Sequence, residues 1–301
     1  MKYNLIIILG PTAAGKTRLA TLLAHRFNGE IISADSRQVY KGMDIGTGKD
    51  LDDYFVEGNV VPYHLIDVIE PAEEFNLYLF NKLFEEAYNK IISKNKIPFL
   101  AGGTGLYLHS VIKGYNLETA DFESAAYEEL NSLSIEELRA KLKSLNPKLH
   151  NTTDLLIKER IIKAIIVSEK EKNTISNEAK KNNPLVIGIN LERSEIKKRI
   201  TERLKLRLQN GMIDEVKKLT EEGTTFEKLD FFGLEYKFIG RYLKGELSYN
   251  DMYQKLNSAI HSFAKRQMTW FRKMEREGIT IHWINGVDYS SAEKIILEHY
   301  R

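Results

Sequence analysis

The stretch Gly10-Pro11-Thr12-Ala13-Ala14-Gly15-Lys16-Thr17 constrains the fold more than any other. It has two glycines five apart followed by Lys and Thr, the pattern of a phosphate-cradling loop. Its surroundings fit too. The apolar run Leu5 to Leu9 before it reads as a buried parallel strand, and Arg18 to Asn28 after it place Leu19, Leu22, Leu23 and Phe27 on one helical face. The glycines allow a tight turn that aims successive N–H groups inward, and the helix start adds its unpaired donors. Gly10, Thr12, Ala13, Ala14, Gly15 and Lys16 are thus expected to bind phosphate, with the Thr17 hydroxyl on Mg²⁺. A Gly-rich turn that binds nothing would need neither the strand nor the Lys-Thr pair. Which phosphorylated ligand is bound stays open at this point.

Composition removes several alternatives. The 301 residues can build one large domain or two, and the chain has no cysteine, which excludes disulfides, thiolate nucleophiles and Cys-bound zinc. That fits a reducing cytoplasm. No apolar run approaches the ~20 residues of a bilayer span. The net charge of +2 is modest but unevenly spread. Seven basic residues against two acids fall between Arg193 and Arg207, and a second cluster lies at Lys265, Arg266, Arg272 and Lys273. Local basic faces on a near-neutral chain suit a polyanionic partner, although either cluster alone is equally a solvated helix face.

Along the chain, strands and helices alternate as in an α/β fold. Glu30 to Ala34 reads as a second strand that delivers Asp35, Ser36, Arg37 and Gln38 beside the phosphate loop, because ligands of open α/β sheets sit beyond the carboxyl ends of strands. Asp35 there can bind Mg²⁺ or accept a proton; a helix N-cap is its structural alternative. Met43 to Lys49 reads as a loop near the site and Tyr63 to Ile69 as a third strand. Asn76 to Lys94 is expected to be a helix with Leu79, Leu83, Ala87 and Ile91 facing inward, and His64 is expected to be structural. The strand Ile97 to Ala101 ends not in an Asp, as a nucleoside triphosphatase would have it, but in Gly102-Gly103-Thr104-Gly105. A second close-approach loop carrying a hydroxyl suits a diphosphate gripped from two sides. Residues 115–183 read as a helical insertion within a core of 1–114 and 184–301. Ser194 to Asn210 then forms a basic helix in which Arg199, Arg203 and Arg207 make one row. Such a row aimed at a cleft is a diphosphate clamp. Helices over Tyr236 to Lys244 and Tyr249 to Arg276 and a strand Ile279 to Trp283 complete the reading. Within the long helix, Ala264 to Arg272 interleave cations with aromatics, of which Phe271 is expected in the core.

Four segments in order resemble the tRNA dimethylallyltransferase (tRNA isopentenyltransferase) family: GPTAAGKT at 10–17, DSRQVYKGMDIGT at 35–47, GGTGLY at 102–107 and AKRQMTWFR at 264–272. The first is shared by many folds, whereas the second and fourth are specific. The resemblance implies a P-loop, kinase-like parallel sheet flanked by helices with an inserted helical domain. It implies transfer of dimethylallyl from its diphosphate to N6 of the adenosine just 3′ of a tRNA anticodon. By position, Asp35 would be the general base, and Thr104 and Arg203 would hold the leaving diphosphate beside Lys16, with Mg²⁺ as cofactor. Asp35, Ser36, Arg37, Gln38, Thr104, Glu159, Arg160, Ile161, Ile162, Lys163, Lys265, Arg266, Gln267 and Arg272 would contact the tRNA anticodon stem-loop. A cytoplasmic monomer without membrane contact is expected.

Several positions depart from the family's pattern: Asp50, Gly233-Leu234-Glu235, Ile260-His261 and the segment 150–160. Rival readings are a nucleotide or small-molecule kinase, a non-catalytic RNA-binding protein, and a prenyltransferase acting on free adenine nucleotides. The GGTG loop and the basic-aromatic helix weigh against the first, and the long C-terminal helical region against the last.

Overall fold

The computed structural model describes residues 3–115, 125–145 and 182–300, together with Lys158, Ile161, Ile162, Ile165, Ile166 and Glu169. The chain divides into two units, Met1–Lys113 with Asn182–Arg301, and Gly114–Lys181.

In the first unit the apolar pentad forms β1 (Leu5–Leu9), fully buried as the interior of a parallel sheet requires. The loop after it enters α1 (Lys16–Arg26), and β2 (Gly29–Ala34) follows. A two-stranded hairpin, β3 (Phe55–Val56) and β4 (Asn59–Val60), precedes β5 (Tyr63–His64). Then come α2 (Leu77–Ser93), β6 (Ile97–Gly102) and α3 (Gly105–Lys113). The sheet has six parallel strands in the order β5-β2-β6-β1, then β7 (Pro184–Asn190) and β8 (Ile281–Asn285). Leu9, Gly102 and Ala34 stand in register across β1, β6 and β2, so the loops that follow these three strands leave the sheet at one level.

Between β7 and β8 run α6 (Arg193–Gln209), α7 (Met212–Glu221), α8 (Phe226–Phe232), α9 (Leu234–Leu243) and the 28-residue α10 (Tyr249–Arg276). The last helix, α11 (Tyr289–His299), follows β8. Ser248 caps α10 by accepting the Asp251 N–H, and Asn76 caps α2 likewise from Leu79. The second unit contains α4 (Ala125–Ser132) and α5 (Ile135–Leu145), packed through Leu130, Leu138 and Leu142 on Ile161, Ile162, Ile165 and Ile166.

The fold class expected from the sequence is the one found, with local corrections. The third strand pairs only through Tyr63 and His64, because Leu65 and Asp67 turn to φ 62 and 53. The buried stripe of α2 runs through Phe80, Phe84, Ala87 and Ile91, while Leu79 and Leu83 are half-buried. The final strand begins two residues later than expected. His64 is structural: it joins Lys94 and Lys96 around the buried Glu30 carboxylate at 2.8 to 2.9 Å.

Burial alone would raise the Glu30 carboxyl, but hydrogen bonds from Lys94, His64 and Lys96 outweigh it and hold the group at about 2. A carboxyl lower in the folded than in the unfolded chain stabilises fully above its unfolded value, and that stability goes as the pH falls toward about 2. Because the lysines are partly exposed, Glu30→Gln is expected to cost about 2–3 kcal/mol near neutrality, below the usual loss for breaking a buried pair. Denaturant unfolding should show that gap closing with acid as the pH falls from 4.5 to about 2.

Candidate functional site

Asp35, Arg203 and the loop after β1 meet at a cavity of about 560 Å³ lined also by Arg37, Thr104 and Gln267. A smaller pocket of about 120 Å³ shares Thr12, Asp35, Arg203 and Gln267 with it and reaches Lys16 and Thr17. The small compartment is mainly polar and faces the helix start; Phe232 and Trp270 line only the larger one, and Phe263 borders both.

The loop after β1 takes its shape from two left-handed residues, Ala13 at φ 63 and Gly15 at φ 85, which turn the chain into α1. The Lys16 ammonium donates back to the Pro11 carbonyl at 2.9 Å. Burial first, then the Arg203 charge, lower its pKa to about 8 against the opposing pull of Asp35. An ammonium with that pKa is charged below pH 8 and neutral above, so the free protein should lose affinity for a diphosphate as pH rises through that value. Pyrophosphate inhibition constants measured on either side of pH 8 test this.

Asp35 follows β2. One of its carboxylate oxygens accepts the Arg37 N–H at 2.9 Å, an Asx turn that fixes the side chain. The other has no hydrogen-bond partner among the described residues and belongs to a side chain lining both compartments. Thr104, after β6, takes the Ser36 N–H on its hydroxyl at 3.3 Å and donates its own N–H to Ala34 at the same distance. Arg203 reaches from α6 to the Thr12 hydroxyl. Burial, then Arg207, bring its guanidinium down to about 10. Arg207 is buried, and its Nη2 has no hydrogen-bond partner among the described residues although the Asp50 carboxylate lies 4.0 Å away. Glu235 also faces this cavity; burial raises its carboxyl, against Arg207 and Arg203. The cavity thus gathers Arg37, Arg203 and Arg207, the last with an unsatisfied donor, and is fit for an anion.

The structure sorts the other expected contacts. Arg199 pairs with Glu195 at 2.7 Å and lines neither compartment. Gln38 lies in the small compartment and donates to Gly48 at 3.0 Å. Arg266, Gln267 and Trp270 face the large one, while Phe271 is core. Lys265 and Arg272 lie on another face of α10, where with Arg193 and Lys197 they border a separate cleft of about 540 Å³. Ile161 and Ile162 are fully buried in the second unit, in the cluster with Leu130, Leu138 and Leu142. Glu159, Arg160 and Lys163 lie outside the described residues.

One supporting residue carries no sequence signal. The Glu215 carboxylate in α7 accepts the N–H groups of Asp44, Ile45 and Gly46 at 2.8, 2.7 and 3.0 Å and the Tyr236 hydroxyl at 2.7 Å. It anchors the loop whose Gly46 and Thr47 wall the cavity. Only distance in space, not spacing in sequence, connects the two.

The profile of the IPP transferase family matches residues 38–274, and that of the isopentenyl transferases residues 3–67. A tRNA dimethylallyltransferase 1 of Geotalea daltonii is 53% identical over 100% of this chain and 97% of its own length. Its counterpart in Azobacteroides pseudotrichonymphae is 49% identical over 98% and 97%. The crystal structure of a full-length tRNA isopentenylpyrophosphate transferase from Bacillus halodurans aligns with a TM-score of 0.69 at 33% identity, covering 99% of this chain and 94% of that one. A eukaryotic dimethylallyltransferase acting on tRNA shares the fold, with a TM-score of 0.77 at 23% identity over 99% and 77% of the two chains.

Proposed function

The chain belongs to the IPP transferase family, and on that footing we propose how it carries out the family's reaction. It is a tRNA dimethylallyltransferase, transferring the dimethylallyl group from dimethylallyl diphosphate to N6 of the adenosine 3′-adjacent to a tRNA anticodon. The observation that carries the assignment of parts is the meeting of the loops after β1, β2 and β6 at one site, with a small polar compartment at the helix start and a larger one that Phe232 and Trp270 help to wall.

The adenine enters the large compartment, out of its stack. Its N6 attacks C1 of the allyl group, the C1–O bond breaks, and the diphosphate departs with the electron pair. The free oxygen of Asp35 takes the N6 proton as the C–N bond forms. Lys16, Arg203 and the donors of the first loop receive the charge that develops on the leaving oxygen, which the low-dielectric pocket makes more valuable than it would be in water. Thr104 holds the second loop against the Asp35 turn, through Ser36. Phe232, Phe263 and Trp270 exclude water from the allylic carbon.

Among the described residues no group of three or more His, Asp or Glu side chains could cage a metal. One hydroxyl, Thr17, with Asp50 and Asp53 lining the same pocket, fits Mg²⁺, which takes few protein ligands and keeps phosphate and water oxygens. When bound there, Mg²⁺ neutralises diphosphate charge. Arg37 and Arg266 meet RNA at the mouth, and Lys265 and Arg272, with Arg193 and Lys197, offer phosphates a second cationic face. Among the described residues no helix is long and apolar enough to cross a membrane.

Incubation with unmodified tRNA and dimethylallyl diphosphate, followed by mass spectrometry of the nucleosides, should reveal a prenylated adenosine. Product formed only with ATP, as a phosphorylated nucleotide, would overturn the reading.

A further inference from the structure

The amide of Gln267 is occupied at both ends. Its Oε1 accepts the Thr12 N–H at 2.7 Å, and its Nε2 donates to the Gly103 carbonyl at 2.9 Å. The partners fix the orientation of the amide, since the reverse would set donor on donor and oxygen on oxygen. Gln267 is buried on α10, and a Cβ added to Gly103 would stand 2.2 Å from its Nε2. The glycine is therefore what lets the second loop approach so closely.

We propose that Gln267 is a positioning residue that sets the gap between the two glycine loops and so acts on the diphosphate rather than on RNA. The inference rests on the prenyl-transfer reading above. Two effects follow from the geometry. Thr12 is held at its N–H by Gln267 and at its hydroxyl by Arg203, which fixes the rim of the phosphate compartment. The Gly103 carbonyl, whose oxygen would repel an anion, is bound to Nε2 and its negative end neutralised. An unpartnered side-chain amide would be a natural reader of an RNA base edge. This one spends an acceptor site and one of its two N–H donors within the protein and is buried.

The test compares Gln267→Met, which keeps the volume and drops both bonds, with Gln267→Glu, which keeps the acceptor for Thr12 but faces Gly103 with a carboxylate oxygen. Gly103→Ala, which presses on the same amide from the other side, guards against a variant that fails to fold. The readouts are the pyrophosphate inhibition constant, the donor KM and the dissociation constant of unmodified tRNA. Loss of two buried hydrogen bonds should weaken pyrophosphate inhibition about 10-fold in Gln267→Met, with a larger loss in Gln267→Glu, while tRNA affinity moves less than about twofold. A loss of tRNA affinity equal to or greater than the loss on pyrophosphate overturns the proposal, and so does an unchanged pyrophosphate constant. A wild-type enzyme that prenylates no tRNA sinks the functional reading itself, whereas an active wild type with indifferent variants sinks only this inference.

Discussion

Asp35→Asn is expected to slow prenyl transfer ~10²–10⁴-fold in a single turnover while tRNA and donor still bind. Asparagine can keep the oxygen that accepts the Arg37 N–H at 2.9 Å, so the turn after β2 survives and only proton acceptance is lost. Asp35→Ala should be no faster and less ordered, because the Arg37 N–H then loses its acceptor. The measurement is a quench experiment at saturating tRNA and donor, with filter binding beside it. A variant that retains wild-type rate would place the proton elsewhere, with Glu235, which faces the large compartment near Arg203 and Arg207, the next carboxylate to test. A variant that loses tRNA binding in proportion to rate would make Asp35 a docking residue.

Arg203→Ala should lower kcat/KM for the donor by about 10²–10³, the usual cost of deleting one preorganised stabiliser of transition-state charge. The guanidinium lines both compartments and donates to the Thr12 hydroxyl, so it orders the loop and meets the leaving group at once. Lysine is a point charge without a planar fork, and Arg203→Lys should recover only a minor part of the loss. Steady-state kinetics against donor concentration, with pyrophosphate inhibition as the binding control, decide the matter. Equal kinetics for Arg203→Ala and wild type would leave the clamp to Arg207 and Lys16.

How far the sequence foretold this site depends on how local its determinants are. The strand–loop–helix around Lys16 was legible because the signal is contiguous: an apolar pentad, glycines and a Lys-Thr pair. Asp35 and the Gly102 to Thr104 loop were legible because parallel strands present their carboxyl ends together. The arginine row was legible only in part. Residues four apart on an α-helix drift by about 40° per step, so Arg203 and Arg207 meet the cavity while Arg199 turns away to Glu195. One helical step also separates Trp270, which lines the cavity, from Phe271, which is core. In α2 the apolar positions are dense enough that two adjacent stripes compete, and the aromatics took the inner one. The sequence put Gln267 at the site through the family resemblance, as an RNA contact, but its bonds to the glycine loops were not readable, and neither was the role of Glu215. Gln267 reaches Thr12 across 255 residues and Glu215 reaches Ile45 across 170, and nothing in the spacing announces either bond.

The level departure of the loops from β2, β6 and β1 sets a rigid gauge for the reaction. Neighbouring strands stand about 4.8 Å apart, so the proton acceptor and the anion grip spring from rails roughly 10 Å distant whatever the helices around them do. That span is maintained by main-chain hydrogen bonding, which side-chain replacements other than to proline leave in place. Mutational drift in the outer layers can thus retune which RNA is accepted while leaving the stride between base and leaving group untouched.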